Sequence, residues 1–227
     1  MLIKDWMSKN VHTVDAKDAL QKAVNLMKEH HIRLLPVMRE GNLVGVISDR
    51  DLKRVSTADP AHREVQDVLY RSYKVKVEEV MTQDPVTVPD DFTVAEAADV
   101  LLKHKFSGVP VVDRKGQLVG IITQTDMFKV IVSMSGMSGR GIQFGFHLKD
   151  RAGSIKEVTD VMRSFGGSIA SILSSYEKAP PGHRQVHIRA INLDRNKLVQ
   201  LIQALKEKAT LLYMVDYAKK KREIYIN

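Results

Sequence analysis

One unit written twice constrains this chain more than any other feature. Met7-Ser-Lys-Asn-Val-His-Thr-Val14 returns as Met81-Thr-Gln-Asp-Pro-Val-Thr-Val88, Leu35-Pro-Val-Met38 as Val109-Pro-Val-Val112, and Leu43-Val-Gly-Val-Ile-Ser48 as Leu118-Val-Gly-Ile-Ile-Thr123. The spacing is 74 residues from Met7 to Met81 and 75 from Leu43 to Leu118, so the second copy carries one extra residue, in the turn around Asp113 to Gly116. An insertion in a turn leaves strand register intact. Each copy reads β-α-β-β-α. An extended piece (Val11 to Val14; Val86 to Val88) leads into an amphipathic helix, with Leu20, Ala23, Val24 and Met27 on one face in the first copy and Val94, Ala97, Ala98 and Leu101 in the second. Asp18-Ala-Leu-Gln21 and Thr93-Val-Ala-Glu96 predict capping boxes at the helix starts. Apolar runs at Leu34 to Met38 and Leu43 to Ile47, and at Gly108 to Val112 and Leu118 to Ile122, predict hairpins, with second helices from about Asp49 and Gln124. A unit this small cannot bury both helices and both sheet faces, so the copies are expected to pack on each other as one module.

The runs Val44-Gly-Val-Ile-Ser-Asp-Arg-Asp-Leu52 and Val119-Gly-Ile-Ile-Thr-Gln-Thr-Asp-Met127 resemble the strand-turn-helix signature of cystathionine-β-synthase-type (CBS) domains. As a pair, over about residues 1 to 133, they resemble the module known as a Bateman domain. Ser48 and Thr123 stand where a strand ends and a helix begins, with Asp51 and Asp126 in the first helical turn. A helix start offers unpaired N–H groups and a positive dipole end, which suit a phosphate. A carboxylate one turn on accepts hydrogen bonds from two ribose hydroxyls.

The resemblance implies an adenosine nucleotide of the AMP, ADP or ATP class as a regulatory ligand. It places Asp51 and Asp126 on ribose, and Ser48 with Arg50, and Thr123 with Thr125, toward phosphate. It places adenine against Val11, Thr13, Leu35 and Pro36, or against Val86, Thr87, Val109 and Pro110. A second reading of the same residues stands beside it: Ser-x-x-Asp and Thr-x-x-Asp are helix caps that need no ligand. The copies also differ. Arg33, Arg50, Lys53 and Arg54 surround the first site, whereas Ser107, Gln124, Thr125 and Lys129 surround the second. Guanidinium groups recognise phosphate in bidentate fashion, so the first site is expected to favour di- and triphosphates.

Ser133-Met-Ser-Gly-Met-Ser-Gly-Arg-Gly141 has no periodicity and reads as a linker. Beyond it Ile142, Phe144, Phe146 and Leu148 alternate as a half-buried strand, and Ser154-Ile-Lys-Glu157 predicts a capping box. Strands at Ile169 to Tyr176, Gln185 to Ile191 and Leu211 to Tyr217, with a helix at Leu193 to Lys208, complete a ferredoxin-like β-α-β-β-α-β layout. Leu148-Lys-Asp-Arg-Ala-Gly-Ser-Ile-Lys-Glu-Val158 with Phe165-Gly-Gly-Ser-Ile169 is similar to the ACT domain, with Ala152 where that family usually has proline. The resemblance implies an effector site for a small amino-acid-like molecule at Asp150, Gly153 and Ser154. A turn that demands glycine and a helix cap account for the same three residues. The order CBS–CBS–ACT, with His30-His-Ile-Arg-Leu-Leu-Pro36, resembles the acetoin-utilisation B-type proteins and implies control of carbon metabolism.

Composition narrows the function further. The 227 residues contain no cysteine, which excludes disulfides, thiolate metal sites and a cysteine nucleophile, and fits a reducing cytoplasm. No apolar run approaches the roughly 20 residues of a membrane span. The formal charge of +8 points to an anionic partner, and small phosphorylated molecules account for it as well as nucleic acid does. The eight histidines show no metal-ligand spacing, and no nucleophile-elbow or phosphate-loop motif appears.

The expected plan of this α/β (α+β) chain is CBS repeat 1 at 1–60, an inter-repeat segment at 61–79, CBS repeat 2 at 80–133, a linker at 134–140, an ACT domain at 141–218 and a basic tail at 219–227. The expected function is a cytoplasmic, homodimeric, non-catalytic sensor without metal or catalytic cofactor, acting on an unidentified protein, without direct nucleic-acid or membrane contact. The alternative is a dimerisation scaffold or transcriptional co-regulator whose ACT domain binds the amino-acid-like effector.

Overall fold

The computed structural model describes residues 1–57, 74–139 and 141–226. The chain divides into two compact units, Met1–Phe128 and Lys129–Asn227.

In the first unit each repeat forms the same arrangement. The first has β1 (Val14–Asp15), α1 (Leu20–Glu29), β2 (Leu34–Arg39), β3 (Asn42–Ser48) and α2 (Asp49–Thr57). The second, preceded by β4 (Thr82–Gln83), has β5 (Val88–Pro89), α3 (Val94–His104), β6 (Gly108–Val112), β7 (Leu118–Thr123) and α4 (Gln124–Met134). The boundary between the units falls inside α4. In each repeat the short leading strand runs parallel to the next, which forms an antiparallel hairpin. Bulges fall at equivalent places, Val37/Met38 and Val111/Val112. Leu20, Ala23 and Met27 of α1, and Ala97 and Leu101 of α3, are buried against these sheets, as helical spacing requires.

The repeats exchange their leading segments. The 3-10 turn Ile3–Asp5 sets Ile3, fully buried, into the core of the second repeat with Val88, Val109 and Ile122. The turn Val77–Glu79 sets Val77, also fully buried, into the core of the first with Val14, Leu35 and Ile47. Backbone bonds tie each segment across: Ile3 N–H donates to Phe92 O (2.9 Å) and Val77 N–H to Asp18 O (3.0 Å). Thr82 pairs with Val46, and Ser8 bridges Ile121. Methionines follow the exchange. A Cβ on Gly45 would lie 2.6 Å from Met81 Sδ, and one on Gly120 would collide with Met7 Sδ, so only glycine fits under either thioether.

The predicted caps of the leading helices are realised once. Thr93 Oγ1 accepts from Glu96 N–H (3.2 Å) while Glu96 accepts from Thr93 N–H (2.7 Å). α1 instead begins after Ala19 without a side-chain cap. Asp18 lies one residue too early, and its carboxylate turns back to Asp15 N–H (2.9 Å) and to Lys22 Nζ (2.8 Å). Residues 58–60 of the expected first repeat and 61–73 of the expected inter-repeat segment 61–79 lie outside the described residues.

The second unit is a five-stranded antiparallel sheet with two helices. Its elements are β8 (Ile142–Lys149), α5 (Ser154–Ser164), β9 (Ser168–Ser175), β10 (His183–Ile191), α6 (Leu198–Lys208), β11 (Thr210–Asp216) and β12 (Lys221–Ile224), in the sheet order β12-β11-β8-β10-β9. Ile142, Phe144, Phe146 and Leu148 turn one face of β8 into a core with Val158, Met162, Leu201 and Leu205.

Four expectations for this region are corrected. Residues 219–227 are not simply a tail, because β12 pairs with β11 from Asp216↔Lys221 to Tyr213↔Ile224. Backbone pairing is indifferent to the charge of side chains that alternate between faces. The stretch after α4 is not a loose linker, because Ser135 O accepts from Arg189 Nε (2.7 Å) and Ser171 Oγ (2.9 Å). Ser154 does not cap α5; Gly153, at φ 83°, takes that place, and Glu157 pairs with Arg151 instead. The helix expected from Leu193 begins at Leu198, after a 3-10 turn Arg195–Lys197 capped by Asp194. No described helix is long and apolar enough to cross a membrane.

Candidate functional site

Strand register gathers most of the expected nucleotide residues at one end of each hairpin. Val14 lies opposite Val37 in a parallel pair, so the chain just before β1 brings Thr13 level with Pro36 and Val11 near Leu34. Leu34 in turn pairs with Ser48, where β3 gives way to α2. Arg33 joins them through its carbonyl, which accepts from Asp49 N–H (3.1 Å). In the second repeat Val88 pairs with Val111, which brings Thr87 level with Pro110 and Val86 level with Val109. Gly108 pairs with Thr123, and Ser107 O accepts from Gln124 N–H (3.0 Å). The two ends meet: Leu34 Cδ2 lies 3.5 Å from the place a Cβ on Gly108 would take.

Alternation along the strands then sorts the proposed adenine walls. Leu35 and Val109 belong to the hydrophobic cores, whereas Pro36 and Pro110 project to the opposite face of the sheet. Only the prolines of these pairs therefore offer a side chain away from the core. Thr13 and Val86 are exposed, and Val11 and Thr87 are half-buried.

Both helix starts are built as reciprocal caps. Asp51 Oδ2 accepts from Ser48 N–H (2.9 Å) and Ser48 Oγ (2.6 Å), while Asp51 N–H reaches Ser48 Oγ at 3.4 Å. Asp126 Oδ2 accepts from Thr123 N–H (3.0 Å) and Thr123 Oγ1 (2.6 Å), and Asp126 N–H reaches Thr123 Oγ1 at 3.3 Å. The second carboxylate oxygen of Asp51 accepts from Arg54 Nη2 (2.9 Å), whose side chain is 72% exposed. Asp126 is the more deeply buried, at 3% exposure.

A helix start presents four N–H groups without an intrahelical partner. Here Ser48, Asp49 and Asp51 have theirs satisfied, as do Thr123, Gln124 and Asp126. Among the described residues the remaining groups, Arg50 N–H and Thr125 N–H, have no hydrogen-bond partner. Both residues are exposed. Each site thus offers one open backbone donor at the positive end of a helix.

Two histidines that the sequence reading did not assign to a site lie in the first repeat. His12 lies between Val11 and Thr13, and its ring stacks on His30 at 3.7 Å between centroids. In the second repeat Val86 stands at the equivalent of His12, and His104 stacks on Phe106 at 5.1 Å. The repeat offset alone relates these positions, but contact between residues 18 apart depends on how α1 lies on the sheet.

In the second unit Asp150, Gly153 and Ser154 form the turn into α5. Arg184 links two of them, with Nη2 3.4 Å from Ser154 Oγ and Nε 3.7 Å from Asp150 Oδ1. Tyr176 OH donates to Asp150 Oδ1 at 3.3 Å. Ser154 is only 5% exposed. Among the described residues no group of three or more His, Asp or Glu side chains is placed to hold a metal ion.

Comparison with known proteins agrees with the repeat geometry. Residues 3–58 and 77–133 match the CBS domain family. A CBS domain-containing protein of Dictyostelium discoideum is 33% identical over 135 residues, which span 59% of this chain and 93% of that protein. The chain belongs to the CBS-domain family. The CBS-pair protein CBSX2 of Arabidopsis thaliana has a similar structure, with a TM-score of 0.52 and 31% identity over 58% of this chain and 94% of that one. That protein is also known in complex with AMP. Inosine-5'-monophosphate dehydrogenase of Korarchaeum cryptofilum is 30% identical over 125 residues, which make up 55% of this chain but 23% of that enzyme. A CBS pair thus occurs both as most of a protein and as a minor part of an enzyme.

Proposed function

We propose that the CBS pair is a non-catalytic sensor for an adenosine nucleotide. The observation that carries this reading is the pair of open donors, Arg50 N–H and Thr125 N–H, at two exposed helix starts. A phosphate accepts from such a group and gains from the helix dipole. The AMP complex of Arabidopsis CBSX2 supports an adenosine ligand for a fold of this kind. Ribose takes the outer carboxylate oxygen of Asp51 in exchange for the exposed Arg54. At Asp51 the cap and the site coexist, because the cap occupies Oδ2 and the exposed Arg54 the other oxygen.

In this proposal residues 141–218 act as an ACT-type regulatory domain with a ferredoxin-like layout. The strand order β11-β8-β10-β9, with α5 and α6 as crossovers, supports it. The chain works as a cytoplasmic homodimer that relays nucleotide occupancy to a protein partner in carbon metabolism. Nucleotide binding favours one arrangement of the repeats, and that preference is the signal. A second reading, an amino-acid-like effector at the turn into α5, is favoured by Arg184, which spans Asp150 and Ser154.

Isothermal titration with AMP, ADP and ATP tests the first reading, on wild type, Asp51→Asn and Asp126→Asn. Asparagine keeps one acceptor oxygen for the cap but cannot accept two ribose hydroxyls through the other atom. Saturable binding lost in either variant, with the circular dichroism unchanged, is the expected outcome. A folded wild type that binds none of the three nucleotides leaves the CBS pair as a scaffold.

A further inference from the structure

The sheet of the second unit has α5 and α6 on one face and a different chemistry on the other. That opposite face carries a cavity of about 410 Å³ between β8, β11 and β12 and the loop before β10. Leu212, Val215, Ile224 and Ile226 make it apolar on one side. Lys178 and Arg222 stand at its rim, both exposed, and neither has a carboxylate partner among the described residues. One carboxylate, Glu223, is among its lining residues. Both its oxygens are taken, by Lys221 Nζ (2.6 Å) and Tyr225 OH (2.5 Å).

One wall of the cavity, Tyr213, is fixed by a run of polar contacts along the same sheet face. Arg189 is 1% exposed and has no carboxylate partner among the described residues. Its Nε donates to Ser135 O and its Nη2 to Gln143 Oε1 (2.7 Å each), and its guanidinium lies 4.3 Å above the centre of the Tyr217 ring. Nη1, buried, has no partner. Because Gln143 accepts from Arg189, its amide nitrogen must face the other way, where it donates to Tyr213 OH (3.0 Å). Tyr213 OH also shares a hydrogen bond with His187 Nδ1 (2.8 Å). Burial holds the His187 imidazole below its usual pKa and raises that of the Tyr213 phenol, so both groups are neutral at neutral pH. The Tyr213 ring lies against Gly145, where any Cβ would collide with it. Tyr213 is therefore a preformed wall of the cavity, and a preformed wall lowers the cost of binding.

We propose that this cavity binds a small organic anion with an apolar body, its carboxylate between Lys178 and Arg222 and its hydrocarbon against Val215, Ile224 and Ile226. The unneutralised charge of Arg189 acts in the same sense, because charge in a poorly screened environment is felt across several ångströms. The cavity size lies within the range of small-molecule sites. Nothing in the proposal depends on the nucleotide reading of the CBS pair.

Saturation-transfer NMR on the full chain tests it, with hexanoate, hexan-1-ol and inorganic phosphate as probes. Hexanoate binds saturably, hexan-1-ol about tenfold more weakly, and phosphate at equal concentration does not displace hexanoate. Lys178→Gln with Arg222→Gln weakens hexanoate about tenfold, as expected for two partly screened ion pairs, and Ile224→Gln weakens it as well. All three positions are exposed, so circular dichroism and melting temperature stay near those of wild type. Absence of saturable hexanoate binding overturns the proposal. So does undiminished binding by the double variant, or displacement of hexanoate by phosphate or by AMP.

Discussion

The two repeats carry the same frame and different surfaces. Both start their second helix with the same reciprocal cap, both satisfy the next N–H with a carbonyl from the preceding hairpin, and both leave one donor open. Around that frame the first site has Arg33, Arg50 and the stacked pair His12–His30, where the second has Ser107, Thr125, Val86 and a histidine stacked on Phe106. Backbone donors follow from the demands of a strand-to-helix junction, which both copies share. Side chains around the junction are free of those demands, so in the proposed sensor they are what distinguishes one ligand from another.

The exchanged segments provide the severest way to break this comparison. Ile3→Ala is expected to cost about 2–5 kcal/mol, and Val77→Ala less because valine is one methylene smaller. Hydrogen exchange after Ile3→Ala should rise first in β6 and β7, far along the chain, rather than in the adjacent β1. A rise confined to β1 and β2 would refute the exchange of cores.

Next in size are the caps. Asp126→Ala removes the buried acceptor of Thr123 and should cost about 1–2 kcal/mol in urea unfolding, more than Asp51→Ala at its half-buried site. Equal costs would mean that burial does not separate the two copies.

A titration sharpens the chemical difference. Arg33→Gln with Arg50→Gln should lower the ATP-to-AMP affinity ratio at the first site by roughly fivefold, through loss of charge-assisted contacts. Thr125→Ala should leave the ratio at the second site unchanged.

The smallest expected effects are at the periphery. Arg54→Ala should change stability by only a few tenths of a kcal/mol, because its partnership with Asp51 is largely solvated. Hydrogen bonds from Thr93 hold the Glu96 carboxyl below its usual range. A lowered carboxylate stabilises the fold above its ordinary pKa and loses that contribution as pH falls through the shifted value. The gap in melting temperature between wild type and Thr93→Ala should therefore narrow as pH falls below the ordinary carboxylate range, leaving the part due to Thr93 Oγ1 accepting from Glu96 N–H.

The repeat, the hairpins and the strand alternation of β8 were legible because each depends on local spacing. The exchange of segments was not, although Ile3 and Val77 stand at equivalent places 74 residues apart. Two nearly identical cores accept the same apolar residue, and pattern alone does not say which core lies within reach. The stack of His12 on His30 stayed hidden for a related reason, since it depends on where the end of α1 rests. At Ser48 and Asp51 the sequence left a cap and a ligand site as rivals. The structure forms the cap, with Asp51 Oδ2 on Ser48 and Oδ1 on Arg54, and leaves Arg50 N–H unclaimed among the described residues, which is the donor the proposed site uses. Lys219 to Arg222 misled in the opposite direction: a run of charge describes side chains, and β12 forms through its backbone.

The exchanged segments also set an order of events during synthesis. Ile3 leaves the ribosome long before its neighbour Ile122 in the core, which follows 119 residues later (122 − 3). The first repeat likewise waits for Val77 before its own core is complete. Contacts this remote in sequence slow folding and keep apolar surface exposed meanwhile. A nascent chain halted between the repeats therefore holds an unfinished first core and an unplaced Ile3 rather than one finished domain.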